Sequence, residues 1–534
     1  MKGALEAGVQ FVSTYPGTPS SEIGNIFSEI AKKHNIYFEF STNEKVALEA
    51  AIGASFSGLK CLVAMKNFGL NVCSDSLLPL CYTGTKGPMV IVVGDDPSCW
   101  SSAQSEENSR PFAYLGHIPM LEPSDPQECK DFTKLGFEIS EKFKLPVILR
   151  TTTRVAHQRM PVAINQYPTS NTQHPRGEFV KNPHQFVTMP PRVLEMKKEL
   201  LEKIEKLKVF AERSPLNQIA GDRVSRSSKT GVVTSAISYL YVMEALKALK
   251  MDLPVLKLGF FYPLPEEKIR SFMKTLKKVL VVEELEGFLE KEIKAIAKEV
   301  NPKIKIFGKD LLPAVGELNQ IKVALAVAKV AGKRFKVPEI SLDIPKRFPR
   351  FCAGCPHLFV VSAIKKAAPE NTIFGGDIGC YMLAGMPQYN LQDYLFSMGS
   401  SIGIGHGIRK STNQRVIALI GDSTFFHAGI PALINTVFNK SNPLIIVMDN
   451  RTTAMTGHQP HPGIGKTGMG EETTEIKIED IVSACGVKNL KVIDPINTAE
   501  LEKTIKEFLK KDEASVIIAR RICALLAKRE NRNS

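Results

Sequence analysis

VIALIGDSTFFHAGIPALINTVFNKSNPLIIVMDN, residues 416–450, holds two short apolar runs separated by a segment of helical length. Val416–Ile420 and Leu444–Met448 contain no polar residue. Unbroken runs of this length mark strands buried on both faces of a parallel sheet, rather than the alternating strands of a half-exposed one. The first run ends in Gly421-Asp422-Ser423 and the second in Asp449-Asn450. Parallel strands present their carboxyl ends on one side, where such sheets bind ligands. A carboxylate and an amide are therefore expected beside each other. GD and DN are also ordinary turn dipeptides; their place after two buried strands is what points to chemistry.

Working outward, the same rhythm of strand and helix recurs. Asn371–Phe374 and Ser515–Ala519 read as further strands of this unit, which begins near Phe348. The N-terminal part shows an Ala-rich helix, Val46–Phe56, and strands at Cys61–Met65, Met89–Val93 and Pro146–Arg150. A middle part has β-like runs at Gly231–Thr234, Pro254–Leu258 and Val279–Glu283. Between them lies a connector with Pro161, Pro168, Pro175 and Pro183, a charged helix Arg192–Glu212 and a Ser/Arg-rich stretch. Alternating strands and helices predict an α/β fold with parallel sheets. The expected division is residues 1–160, a linker at 161–228, a smaller α/β domain at 229–335, and residues 336–534.

Composition bounds the function. The 534 residues are 43% hydrophobic and 23% charged, ordinary for a globular chain of three or four domains. No run of about 18 apolar residues suggests a membrane span. Glu6 interrupts the N-terminal apolar stretch, against a signal peptide. A cytoplasmic protein is the expectation. The net charge of +14 sits largely on helical faces (Lys197, Lys198, Lys203, Lys206, Lys208) and in a linker with Arg223, Arg226 and Lys229. No nucleic-acid motif accompanies it, so a basic surface for acidic partners or anionic substrates is the better reading. Ten cysteines in such a chain argue against a disulfide framework.

Four constellations carry chemistry. Asp422 and Asn450, with a main-chain carbonyl near Thr452, offer the hard oxygens that Mg2+ prefers, leaving positions for phosphate. Strand–GD–helix–strand–N is the order by which enzymes grip thiamine diphosphate through such a metal. Gly375-Gly376-Asp377-Ile378-Gly379-Cys380 follows a strand, and its glycines would let backbone N–H groups approach a diphosphate. Tyr15-Pro16-Gly17-Thr18-Pro19-Ser20-Ser21-Glu22 is a rigid turn leading into a helix, suited either to an anion or to an ordinary capping box. Glu44 precedes the Ala-rich helix; it reads as the carboxylic acid that thiamine needs beside its aminopyrimidine, or as a common first-turn glutamate.

The motifs YPGTPSSE, NEKVALEAA, LEPSDPQE, CAGCPH, GDIGCY, GDSTFFHAGIPALIN and DNRTTAMTGHQPHPG occur in this order. Together they resemble the alpha subunits of indolepyruvate ferredoxin oxidoreductases, within the 2-oxoacid:ferredoxin oxidoreductases. The resemblance implies two thiamine-diphosphate-binding-type parallel-sheet domains, pyrimidine-type at 1–160 and diphosphate-type at 336–534. A transketolase C-terminal-like α/β domain would lie between them. It implies oxidative decarboxylation of aryl 2-oxoacids to acyl-CoA and CO2 through a thiamine diphosphate ylide. By similarity, Asp422, Asn450 and Thr452 hold Mg2+, and Gly376, Asp377, Gly379, Gly421 and Ser423 complete the cofactor cradle. Glu44 activates the cofactor and Thr18 holds the substrate carboxylate. His357, His427 and His458 are candidates for the pocket wall, His357 with a catalytic role; His458 or His461 could instead cap the loop after the metal ligand.

The resemblance also implies one [4Fe–4S] cluster on Cys352, Cys355, Cys380 and Cys523. A zinc site or reduced core thiols are the alternatives for these four. Cys61, Cys73, Cys81, Cys99, Cys129 and Cys485 lack such spacing. Implied partners are a smaller beta subunit, coenzyme A, and ferredoxin or a separate polyferredoxin subunit, in a hetero-oligomer without nucleic acid or membrane. Relatives continue into a ferredoxin-like domain and start with a further segment before ALEAGV. This sequence has neither, so electrons leave through another subunit or the sequence is truncated. Two rival readings are a non-redox thiamine-dependent decarboxylase or synthase, and a non-catalytic subunit of an oxidoreductase complex.

Overall fold

The computed structural model describes residues 1–165, 176–220, 228–337, 344–345 and 347–533. Pro168, Pro175, Arg223 and Arg226 of the expected connector lie outside the described residues. The chain divides into two compact units, residues 1–38 with 44–341 and residues 39–43 with 342–534. No described helix is long and apolar enough to cross a membrane.

The first unit holds two sheets. The larger contains β1 (Phe11–Thr14), β2 (Tyr37–Phe40), β3 (Cys61–Lys66), β4 (Met89–Asp95), β5 (Met120–Leu121), β6 (Val147–Thr152) and, from further along the chain, β10 (Phe260–Tyr262). The smaller contains β7 (Gln218–Ala220), β8 (Thr230–Ser235), β9 (Val255–Leu258), β11 (Lys278–Val282) and β12 (Lys305–Phe307). Their orders are β10-β5-β6-β4-β3-β1-β2 and β12-β11-β8-β9-β7. The central pairs β1–β3, β3–β4, β4–β6 and β8–β11 are parallel. Two antiparallel edges depart from the expected all-parallel pattern. β7 runs against β9, and β10, which belongs to the middle part of the sequence, runs against β5 of the first sheet.

A buried ionic cluster ties these two sheets together. Arg110 grips Glu122 with two hydrogen bonds of 2.7 Å and also contacts Glu283 and the Ser235 hydroxyl of the second sheet. Arg150 reaches Asp95 at 2.7 Å and Glu122 at 2.8 Å. The Arg110 guanidinium also lies 4.5 Å from the centroid of the Phe261 ring. Arg110, Arg150, Glu122 and Asp95 are all essentially inaccessible. Burial pushes the Glu122 carboxyl up, but Arg110 and Arg150 outweigh it and hold the group at about 2.

In the second unit five strands, β13 (Ile373–Gly375), β14 (Val416–Gly421), β15 (Leu444–Asp449), β16 (Asn489–Ile493) and β17 (Ser515–Arg520), lie in the order β13-β14-β15-β17-β16. Every neighbouring pair is parallel. Alternate side chains feed two separate cores. Ile417, Leu419, Ile446 and Met448 pack into one, and Ala418, Ile420, Ile445 and Val447 into the other. That double burial explains why these strands read as unbroken apolar runs. The register sets Ile420 against Val447 and Gly421 against Met448, so both chains leave the sheet at one level.

The helix after β14 is irregular: Asp422–Thr424 is followed by a π turn, Phe425–Gly429, then by Ile430–Phe438. Pro431 has no N–H to return to the carbonyl four residues back. That carbonyl, of His427, accepts from Asn43 Nδ2 at 3.1 Å.

The ionic cluster makes a stability prediction. Glu122→Gln leaves two buried guanidiniums short of their carboxylate, and the unfolding free energy read from denaturant melts falls by about 3–5 kcal/mol. Lys45→Ala, which breaks the exposed pair with Asp75, leaves the midpoint unchanged. The Glu122 contribution is complete above pH about 4.5, the unfolded value, and is lost as pH falls toward 2.

Candidate functional site

Asp422 and Asn450 leave adjacent strands and turn toward one another. The Thr452 backbone N–H is 3.3 Å from both Asp422 Oδ2 and Asn450 Oδ1. The two oxygens therefore converge on one donor, at the carboxyl ends of adjacent strands. Asp422 is buried and well supplied with donors. Ser423 N gives 2.8 Å to Oδ1, and His461 Nε2 lies 3.1 Å from Oδ2. Burial pushes the Asp422 carboxyl up, but His461 and the backbone donor bring it below the usual carboxylate range.

His461 accepts at Nδ1 from Gly463 N, 3.2 Å away. Its Nε2 therefore carries the proton and donates to Asp422. His461, rather than His458, caps the loop after Asn450. His357 is buried, and its Nε2 lies 3.3 Å from Asn450 Nδ2. Burial pushes the His357 imidazole down to about 4, so near neutrality it is uncharged and accepts from the amide. This contact turns the oxygen of Asn450 away from the histidine. Ser423 Oγ is bonded to the Thr453 hydroxyl at 2.9 Å, which fastens the two loops together.

The glycine loop is held by contacts within the protein. Asp377 is expected to touch the cofactor, but its fully buried carboxylate accepts from Ile378 N (2.7 Å), Gly399 N (3.0 Å) and Ser401 N (3.0 Å). It ties the loop to the start of the helix Ser400–Ser411 and acts as a positioning residue. Gly376, Gly379 and Gly421 are small for a reason internal to the fold. A Cβ on Gly376 would come within 2.5 Å of Gln392, and on Gly379 or Gly421 within 2.5 or 2.6 Å of the Tyr381 ring. Tyr381 donates to the Ile378 carbonyl at 2.7 Å and bridges to Thr424. The glycines thus admit a tyrosine that braces the β13 and β14 loops.

Cys352, Cys355, Cys380 and Cys523 line one cavity of about 210 Å³, together with His357, Asn450 and His458. Burial, and the other thiols of this group, push Cys355 to about 11 and Cys380 to about 12. Gly354, at φ +74°, supplies the left-handed bend that lets both ends of Cys352-Ala353-Gly354-Cys355 face the cavity. Cys523 N donates to the Asn450 carbonyl at 3.0 Å, so one residue borders both the thiol cavity and the oxygen cluster. Among the described residues, no three His, Cys, Asp or Glu side chains stand close enough to share one ion.

Thr18 and Glu44 belong to the first unit. Thr18 Oγ1 is 3.4 Å from Ser21 Oγ at the start of the helix Ser21–Ile30. The expected capping box does not form: Ser20 bonds back to the Gly17 carbonyl at 2.6 Å, and no side chain caps this helix. Glu44 is buried and is itself the first residue of the helix Glu44–Phe56, which starts two residues before the expected Val46. His427 is buried on the π turn. Lys66, which closes the apolar run CLVAM and was not singled out from the sequence, stands at the end of β3 beside Gly17.

Comparisons with known proteins cover the chain in three parts. Residues 2–211 match the model of the pyruvate flavodoxin/ferredoxin oxidoreductase thiamine-diphosphate-binding domain, 217–338 the indolepyruvate oxidoreductase domain, and 377–519 the C-terminal TPP-binding domain of thiamine pyrophosphate enzymes. Indolepyruvate oxidoreductase subunit IorA of Methanothermobacter thermautotrophicus is 45% identical, over 98% of this chain and 85% of its own length. IorA of Thermococcus kodakarensis is 43% identical over 98% of this chain and 84% of its own, and that of Archaeoglobus fulgidus 39% over 99% and 86%. On alignments that take in both units, and with them the oxygen cluster and the thiol cavity, this chain belongs to the family of indolepyruvate oxidoreductase subunit IorA.

Proposed function

We propose that this chain binds thiamine diphosphate through Mg2+ and carries out ferredoxin-dependent oxidative decarboxylation of aryl 2-oxoacids, giving acyl-CoA and CO2. The carrying observation is the convergence of Asp422 Oδ2 and Asn450 Oδ1 on the Thr452 N–H. Two hard oxygens at the carboxyl ends of adjacent parallel strands suit Mg2+, which keeps its remaining positions for phosphate and water. His461 and Ser423 hold the carboxylate in place, and His357 holds the amide, so the ligands are set before the metal arrives. The Thr452 carbonyl is the third protein ligand in this reading. Bound thiamine diphosphate supplies the electron sink that lets carbon dioxide depart. As the resemblance implies, Glu44 would exchange a proton with the aminopyrimidine of thiamine diphosphate, and Thr18 would donate to a substrate carboxylate.

The thiol cavity supports one [4Fe–4S] cluster. Zinc at about 2.3 Å from each sulfur would gather its thiolates tightly, whereas these four cysteines line a cavity with room for inorganic sulfide and iron. Asn450 lines the same cavity, so a cluster held there would adjoin a residue that would hold the metal. A smaller subunit, coenzyme A and a ferredoxin complete the proposed system, with electrons leaving through that carrier.

The reading is tested on the complex with its small subunit, purified without oxygen. It reduces viologen when given indolepyruvate and coenzyme A; a folded complex with thiamine bound but no iron and no viologen reduction overturns it. Asp422→Ala weakens Mg2+-dependent thiamine diphosphate binding about 100-fold or more by calorimetry. Cys355→Ser lowers iron and acid-labile sulfide and abolishes viologen reduction, while thiamine binding persists.

A further inference from the structure

Lys66 closes β3, and the chain then enters the helix Asn67–Thr83. In the order β4-β3-β1-β2, consecutive strands diverge to opposite sides between β1 and β3. Such a switch point, at the carboxyl ends of the strands, is where open α/β sheets bind ligands. The loop after β1 carries Gly17 and Thr18. A Cβ on Gly17 would stand 3.1 Å from both Cβ and Cγ of Lys66, so the lysine stem runs directly along the glycine. Gly17 is small because Lys66 lies there.

The ammonium group at the end of that stem is under-used. Its hydrogen bond is a long one, 3.4 Å to the Ser101 carbonyl, and its Nζ sits 4.7 Å from the Phe68 ring centroid. Among the described residues it forms no ion pair. Asp96, Glu44, Cys99 and Glu107 face it from farther off. Asp96 accepts from Ser101 N and the Thr153 hydroxyl, and Glu107 from Asn71. Two further polar atoms nearby have no partner in the structure: Oδ1 of fully buried Asn67 and Oγ of Ser102. A partly buried cation at a switch point, with unsatisfied polar atoms on the residues that follow Lys66 and its partner Ser101 in the chain, describes a site awaiting a polar ligand.

A hydroxyl and an uncapped helix end are weak compensation for a carboxylate taken out of water; a formal positive charge on a hydrogen-bond donor is stronger. We infer that Lys66 is a substrate-binding residue whose ammonium group pairs with the carboxylate of the 2-oxoacid held by Thr18. The inference rests on the oxidoreductase reading. Burial lowers the lysine to about 8 against the pull of Asp96, Glu44, Cys99 and Glu107, so it is still mainly protonated at neutral pH.

The test uses the complex with its small subunit. Lys66→Met keeps the stem and removes the charge. It raises KM for phenylpyruvate roughly 10- to 150-fold, the effect of losing a hydrogen bond to a charged group. KM for coenzyme A and thiamine diphosphate affinity stay unchanged, and Lys66→Arg recovers most of the loss. In the wild-type complex, phenylpyruvate slows modification of Lys66 by trinitrobenzenesulfonate, read by peptide mass. An unchanged KM in Lys66→Met, a loss confined to kcat or to thiamine affinity, or labelling indifferent to phenylpyruvate each overturns the inference. A wild-type complex that turns over no 2-oxoacid sinks the oxidoreductase reading instead, and the labelling result then decides Lys66 alone. It also decides the matter should Lys66→Met fail to fold.

Discussion

The pairing of β14 with β15 is the constraint on which the second unit depends. Their register ends both strands at one height, so Asp422 and Asn450 emerge side by side and share the Thr452 N–H. A carboxylate buried at such a place is unfavourable unless it is richly hydrogen-bonded. Ser423, Thr452 and His461 provide those bonds. Each donor is itself fixed by something else: His461 by Gly463, and the Thr452 loop by the Thr453–Ser423 bridge. The oxygen cluster is consequently rigid in two directions.

The first unit is organised around charge of the opposite arrangement. Its two sheets are joined by Arg110 and Arg150 with Glu122, Asp95 and Glu283. Replacing such a cluster by apolar groups is often neutral in energy, whereas removing one member is costly. Its value lies in geometry, since guanidinium forks donate to carboxylates at few angles. β10, donated from the middle of the sequence to the edge of the first sheet, makes the same junction through backbone bonds.

The fully buried strands were legible in the sequence because both faces meet core. The apolar runs at 61–65, 89–93, 416–420, 444–448 and 515–519 each correspond to observed strands that extend one or two residues further. The extensions are polar or glycine residues (Lys66, Gly94, Asp95, Gly421, Asp449, Arg520) that apolar patterning leaves out. Short strands such as β5, β7, β10 and β12 escaped because two or three residues carry no period. The participation of β10 in the first sheet is a tertiary fact with no local signature. At the site, the spacing of GD and DN brought Asp422 and Asn450 into view, and the resemblance supplied the cysteines. What stayed hidden were roles set by direction. Asp377 faces backbone donors, the glycines face Tyr381, and the capping box gives way to a bond from Ser20 to Gly17.

These hidden directions share a cause. A glycine-rich loop at the end of a strand can be small toward a ligand or small toward its own protein, and the sequence is the same in both cases. Here Tyr381 occupies the space above Gly379 and Gly421, and its hydroxyl links the Ile378 carbonyl to Thr424, two residues beyond Asp422. The loop is therefore a brace for the end of β14 that carries Asp422. The thiol cavity adjoins the same brace through Cys380, the residue between Gly379 and Tyr381. Asn450 completes the connection, since its amide meets His357 and its carbonyl meets Cys523 N. Asn450 thus joins the oxygen cluster to the thiol cavity through these two hydrogen bonds, both at the carboxyl end of β15.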